Sequence, residues 1–247
     1  MRLKLICCDV FARLAYAAAA ESHHLVDIEL LPMLAHNEPD RLRQDLQSAI
    51  DKAGQFPEVY DKVIMAYGLC GNAAAGLTSS IPLIIPRMHD CCAMFMGSKE
   101  AFTKVFGHRL STRWRSCGYV ERGRDIEGDY KLHPDFLKLA AEYDEDNAEY
   151  IWETMHPPAE SNEAVYIELE GFEYGDTKGK YINQMEQTPD CQIEVVSGDA
   201  GWFKRLINGP WDEKDFLELL PGNEIEPIYD MVEVFRGKVE GDHIEKK

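Results

Sequence analysis

The chain has 247 residues, 45% of them hydrophobic, which suits one large α/β domain or two smaller ones and argues against disorder. Its formal net charge of −18 repels phosphate backbones and anionic lipid, so neither nucleic acid nor a membrane is an expected partner. No apolar run reaches the length of a membrane span, and the opening MRLKLICC reads as a first strand rather than a signal peptide.

Leu3 to Cys8 is a short apolar strand of the buried, parallel type, and Asp9 is placed to cap the alanine-rich helix Phe11 to Glu21. Leu25 to Leu31 alternates as a second strand. Asn37 caps a second helix with Pro39 in its first turn, Leu42, Leu46, Ala49, Ile50 and Ala53 on one stripe, and Gly54 as its stop. Lys62 to Tyr67 is a third strand, Ala73 to Leu77 a short helix, and Pro82 to Ile85 a fourth strand. Ser98 caps a helix carrying Phe102, Val105 and Phe106.

Arg109 to Tyr130 reads as a loop or short hairpin. His133 to Met155 is a long amphipathic helix or a bent pair, ended by His156-Pro157-Pro158. Strands follow at Ala164 to Leu169, Gln192 to Val196 and Phe216 to Leu220, with helices after Gly175 and over Ala200 to Ile207. The tail from Glu226 is polar and reads as frayed. Strand–helix alternation predicts an α/β fold: an open parallel sheet with helices on both faces. The return of strand–helix units after the long helix predicts two related lobes around a crevice. Residues 1–130 form the first lobe and 131–247 the second.

The chemistry-bearing residues gather at predicted strand ends. Cys7 and Cys8 follow the first strand, Cys70 the third, and Arg87, His89, Asp90, Cys91 and Cys92 the fourth. In an open parallel sheet these ends share one side, and the crevice opens where strand order reverses. With the order 2-1-3-4, that reversal falls between the first and third strands. The seven cysteines are odd in number and include adjacent pairs, which fits a reduced, cytoplasmic protein using thiols for metal or chemistry.

Cys8, Cys70, His89 and Cys91 together could supply a zinc site with an open position, and soft thiolates equally suit an iron–sulfur cluster. Asp90 would orient a ligand, and Arg87 and Arg13 would bind an anionic group of a small-molecule substrate. Gly68 and Gly71 let the backbone approach a ligand or cofactor closely. A metal-free alternative pairs His89 with Cys70 or Cys8 as an activated nucleophile.

Cys8-Asp9 with Arg13, Tyr67-Gly68-Leu69-Cys70-Gly71, Pro86-Arg87-Met88-His89-Asp90-Cys91 with Gly97-Ser98, and Gly209-Pro210-Trp211-Asp212 with Phe216 and Pro221-Gly222 carry a family resemblance. On these motifs the chain resembles the DUF1638 family of anaerobic bacteria and archaea, though Arg113 to Gly123 departs from the family's tyrosine-rich pattern. The resemblance implies an association with corrinoid-dependent methyl transfer, and so with one-carbon metabolism. It makes a metal-dependent enzyme of methyl-transfer type the leading expectation, with a corrinoid protein or methyltransferase as partner. The alternative is a non-catalytic accessory protein that binds a corrinoid, a metal or an iron–sulfur cluster.

Overall fold

The computed structural model describes residues 1–33, 38–109, 112–122, 134–155, 162–228, 230 and 232–239. The chain divides into two compact units, Met1–Val105 with Gly198–Lys247, and Phe106–Ser197. The last fifty residues thus return to the first unit, and the units are not consecutive halves.

The first unit opens with strand β1 (Arg2–Cys8), a 3-10 turn over Asp9–Phe11, and helix α1 (Ala12–Ala20). Strand β2 (Leu25–Leu31), helix α2 (Pro39–Gly54), strand β3 (Lys62–Ala66) and strand β4 (Leu83–Pro86) follow. Helix α3 (Cys91–Met96) and helix α4 (Lys99–Phe106) complete this run. β1 pairs in parallel with both β2 and β3, and β3 with β4, giving the expected order 2-1-3-4. The chain moves from β1 to β2 and then back across β1 to β3. Right-handed crossovers therefore put α1 and α2 on opposite faces.

Side chains alternate along each strand, so the two cysteines of β1 face opposite ways. Cys7 is fully buried, as are Leu3 and Leu5. Ile6 belongs to the core under α2, with Leu46, Ile50, Met65 and Ile85, and Cys8 packs against that same core. On the other side of the turn Phe11 meets Phe95 and Phe203, with ring centroids 4.4 and 5.0 Å apart.

The second unit holds strand β5 (Arg113–Ser116), helix α5 (Cys117–Arg122), helices α6 (Pro134–Tyr143) and α7 (Glu145–Met155), strand β6 (Glu163–Glu168), helix α8 (Thr177–Met185) and strand β7 (Gln192–Ser197). Its three strands form a parallel sheet in chain order. The acidic helical stretch is the bent pair, broken at Asp144, whose φ is 67°. Part of the stretch expected as loop or hairpin is instead β5 and α5. The strand is only four residues, RWRS, with a single apolar side chain, too short for periodicity to identify.

The chain then returns to the first unit with helix α9 (Trp202–Asn208), strand β8 (Phe216–Leu219), strand β9 (Asn223–Pro227) and strand β10 (Phe235–Val239). β8 adds to the main sheet antiparallel to β4. β9 and β10 pair antiparallel, so part of the tail expected to fray is instead a paired hairpin. Phe235 is fully buried in the α2-side core and anchors this hairpin. No helix among the described residues is long and apolar enough to cross a membrane. The Asn37 cap, the His133 start and His156-Pro157-Pro158 end of the acidic helices, and residues from 240 onward lie outside the described residues.

Candidate functional site

The ends of β1 and β3 meet at the reversal of strand order. Cys7 is level with Ala66, and continuing that register sets Cys8 level with Tyr67. Asp9 does not cap α1. Its carboxylate accepts the Met33 N–H at 2.8 Å and ties the β1 end to the chain leaving β2.

Beyond β3 the chain turns through Cys70, Gly71 and Asn72, with φ of 47°, 65° and 72°. The expected helix over 73–77 does not form: the stretch makes hydrogen-bonded turns instead, and Gly76 within it has a φ of 76°. A left-handed cysteine is costly, and such backbone persists only where its surroundings fix it. Here they do. Leu69 N–H donates to Met88 O at 2.9 Å, and Cys70 N–H to His89 O at 2.8 Å. Arg43 Nη2 holds the Asn72 carbonyl at 2.8 Å. Gly68 makes the approach possible, since a Cβ there would lie 2.4 Å from the Met88 carbonyl oxygen.

Cys8 and Cys70 are both partly buried and pack against the same core. Desolvation pushes the Cys70 thiol up to about 12; a backbone hydrogen bond at Gly68 opposes the rise, and Asp90 and Cys8 add to it. Desolvation also raises Tyr67, with Cys8, Cys7, Cys70 and Asp9 contributing. Tyr67 is 4% exposed, and its hydroxyl has no hydrogen-bond partner among the described residues. The crevice thus holds two thiols, a carboxylate and a permanently neutral hydroxyl donor. A buried donor left unpaired costs free energy, which a bound acceptor would recover.

The other expected site residues are placed differently. His89 Nε2 lies 2.7 Å from the Asp230 carbonyl. Asp90 caps α3, accepting Ala93 N–H at 3.0 Å. Cys91 is the first residue of that helix and partly buried, whereas Cys92 is core, its thiol raised by desolvation with Asp90 and Cys91 adding. Arg13 is exposed on α1. Among the described residues no group of three or more His, Cys, Asp or Glu is set to hold a metal ion. The structure therefore sets Cys8 and Cys70 against one core but, among the described residues, does not gather the four-residue set around one point.

Arg87 Nε donates to the Glu213 and Phe216 carbonyls at 2.8 and 3.2 Å, and its Nη1 to the Glu233 carbonyl at 2.9 Å and to that of Phe235. One guanidinium thereby pins the segments before β8 and β10 to the end of β4. Arg87→Met should lower unfolding stability by about 2 kcal/mol, because several carbonyls lose a charged donor together. Urea unfolding would read it, and an unchanged midpoint would remove this role.

On the far side of Arg87-Met88 lies a cavity of about 220 Å³. Three of the sequence motifs meet there: Arg87-Met88, Gly97-Ser98, and Gly209-Pro210 with Asp212 and Phe216. Sequence reasoning missed Lys99 and Asp215 in its wall. The available signal was a lysine in the first turn of a helix, where the macrodipole favours an acid. Cys117 and Cys191 belong to the second unit, the first buried and the second packed on that unit's own core.

No curated protein and no solved structure matches the chain. A family model described as protein of unknown function, DUF1638, matches residues 30–207. That span includes Tyr67 to Gly71, Arg87 to Cys91 and Gly97-Ser98, and excludes Cys8 and Trp211-Asp212. With well over half of its length matched, the chain belongs to the DUF1638 family.

Proposed function

We propose that the chain is an enzyme holding a thiophilic metal, zinc foremost, through Cys8 and Cys70, and acting on a small molecule in methyl transfer or related one-carbon chemistry. The observation that supports this reading is that both thiols pack on one core at the switch point, near the Tyr67 hydroxyl that has no hydrogen-bond partner among the described residues. The two donors are soft, and Cys70 is desolvated, which suits a thiophilic cation. His89 and Cys91 adjoin the pair in sequence order along the β4 loop, and His89 would have to leave the Asp230 carbonyl to join. Zinc bound there would supply positive charge that holds thiols as thiolates and polarises a substrate group.

The chain's own residues would do the rest. Tyr67, kept neutral by burial, would donate to an acceptor on the substrate. The left-handed turn at Cys70 would hold the sulfur toward the crevice side of β3, and the apolar core beneath would exclude water. A Cys–His nucleophile is less well supported, because His89 is bonded elsewhere and Cys70 is protonated at neutral pH. The methyl-transfer class, with a corrinoid protein or methyltransferase as partner, rests on the association the family resemblance carries.

Anaerobically purified protein should contain about one zinc per chain and show no visible absorption. Cys8→Ser and Cys70→Ser should each lose the metal, while Cys7→Ser and Cys92→Ser keep it. Full occupancy in both of the first two variants would end this reading. Iron with sulfide, or a red corrinoid spectrum, would move it to a cluster or corrinoid protein.

A further inference from the structure

The cavity beside Arg87 lies outside the thiol crevice, and its wall includes neither Cys8 nor Cys70. Its polar side carries Arg87, Lys99, Arg205, Asp212 and Asp215, and its apolar side includes Trp202 and Phe216, which are 2% and 5% exposed. In a chain of net charge −18, three cations around one cavity call for a reason.

The charges sort themselves. Arg205 is already paired with Asp199 at 2.8 Å. That leaves Arg87 and Lys99 against Asp212 and Asp215, a balanced lining with both signs present. Lys99 stands at the start of the eight-residue helix α4, whose Ser98 hydroxyl accepts the Ala101 N–H at 3.0 Å. Its ammonium donates to the carbonyls of Lys214, at 3.2 Å, and Val232, neither of which neutralises it. Desolvation lowers Lys99, with Asp215 opposing. Asp212 accepts the Asp215 N–H at 3.1 Å, which fixes the two acids on one turn. A volume of 220 Å³ equals the share of about seven waters, enough for a ligand of about a dozen non-hydrogen atoms.

We infer that this cavity binds a small zwitterion of amino-acid type. Its carboxylate meets Lys99 at the N-terminal end of α4, where ammonium and macrodipole act together. Its amine meets Asp212 and Asp215. Its apolar side chain lies on Trp202 and Phe216. A plain anion would leave the two acids facing it, and a plain amine would leave Lys99 and Arg87 uncompensated. The inference goes beyond the thiol-pair reading and does not depend on it.

The test titrates 4-fluoro-L-phenylalanine into the full chain and reads binding by fluorine NMR. Two truncated probes accompany it: 3-(4-fluorophenyl)propionate, which lacks the amine, and 2-(4-fluorophenyl)ethylamine, which lacks the carboxylate. The zwitterion should bind at least about tenfold more tightly than either, one charge-assisted contact being lost in each. Lys99→Met should weaken the zwitterion and the propionate but not the ethylamine, and Lys99→Arg should restore them. Asp215→Asn should weaken the zwitterion and the ethylamine but not the propionate. Cys8→Ser, which bears on the metal, should leave all three unchanged. No saturable binding in the millimolar range, a truncated probe that matches the zwitterion, or indifference to both substitutions would overturn the inference.

Discussion

Gly68→Ala should destabilise the protein by about 3 kcal/mol, the upper range for an overpacked site, and loosen the turn that carries Cys70. The added Cβ would stand 2.4 Å from the Met88 carbonyl oxygen, and 2.9 Å from both the Asp90 nitrogen and the His89 carbonyl carbon. All three are backbone atoms, so no side chain can rotate away. Nor can the 87–90 segment retreat at little cost. It is held by the Leu69 and Cys70 N–H bonds on one side and by the Arg87 N–H bond to the Asp215 carbonyl, at 2.8 Å, on the other. The strain must therefore break the bonds that fix the left-handed Cys70. Denaturant unfolding gives the stability, and modification by a disulfide reagent should become faster as the thiol is exposed. Gly71→Ala is the informative comparison. Its φ of 65° imposes a left-handed alanine, at about 1 to 2 kcal/mol. A loss below about 1 kcal/mol in Gly68→Ala would mean that the β3 and β4 loops separate freely.

Gly68 also marks what sequence reasoning could reach. Glycines flanking a cysteine after a buried strand signal a sharp turn and close approach, and the turn is there. What no local pattern reveals is the object approached, here a backbone segment twenty residues further on. The sheet order was legible because β1 to β4 are continuous apolar runs separated by helical periods, and right-handed crossovers leave few alternatives. That Cys8 rather than Cys7 shares a core with Cys70 follows from strand alternation once the register is fixed. Register itself depends on pairing, which the sequence of one strand does not specify.

The charged site residues were least legible. Arg87 and His89 sit beside a cysteine pair in sequence, which suggests chemistry. In space both turn to carbonyls of the C-terminal segment, more than a hundred residues away. Such contacts arise only because β8 and the β9–β10 hairpin fold back beside β4, and β9 and β10 are too polar to stand out as strands. The cavity depended on the same return. Its Lys99 and Asp215 come from the two segments of the first unit, one before and one after the second unit in the chain, and carry no shared motif.

The native state of the metal-free protein should lose stability in alkali because of Cys70. Its thiol is pushed up to about 12, from an ordinary value of 9.0. Below pH 9 the thiol is protonated in both folded and unfolded chains, so it contributes no slope. Between 9 and 12 the unfolded chain releases this proton and the folded chain retains it. The unfolded state then binds fewer protons, and stability falls as pH rises. The slope approaches about 1.4 kcal/mol per pH unit, and the whole interval amounts to about 4 kcal/mol. Tyr67 and Cys92 are raised as well and add their own slope, so the measurement is a difference. Unfolding free energies of wild type and Cys70→Ser should differ by a constant below pH 8, and wild type should decline relative to the variant above pH 9. Parallel curves would show that the folded thiol ionises at its ordinary pH and is not desolvated. Metal at the Cys8–Cys70 pair reverses the sign. A thiolate held by zinc has its folded value depressed below the unfolded one, so its contribution is full above pH 9 and is lost as pH falls through the depressed value. Adding zinc should therefore abolish the alkaline decline and create an acidic one, in wild type and not in Cys70→Ser. One pair of stability curves thus separates a buried neutral thiol from a metal ligand, without an assay for the reaction.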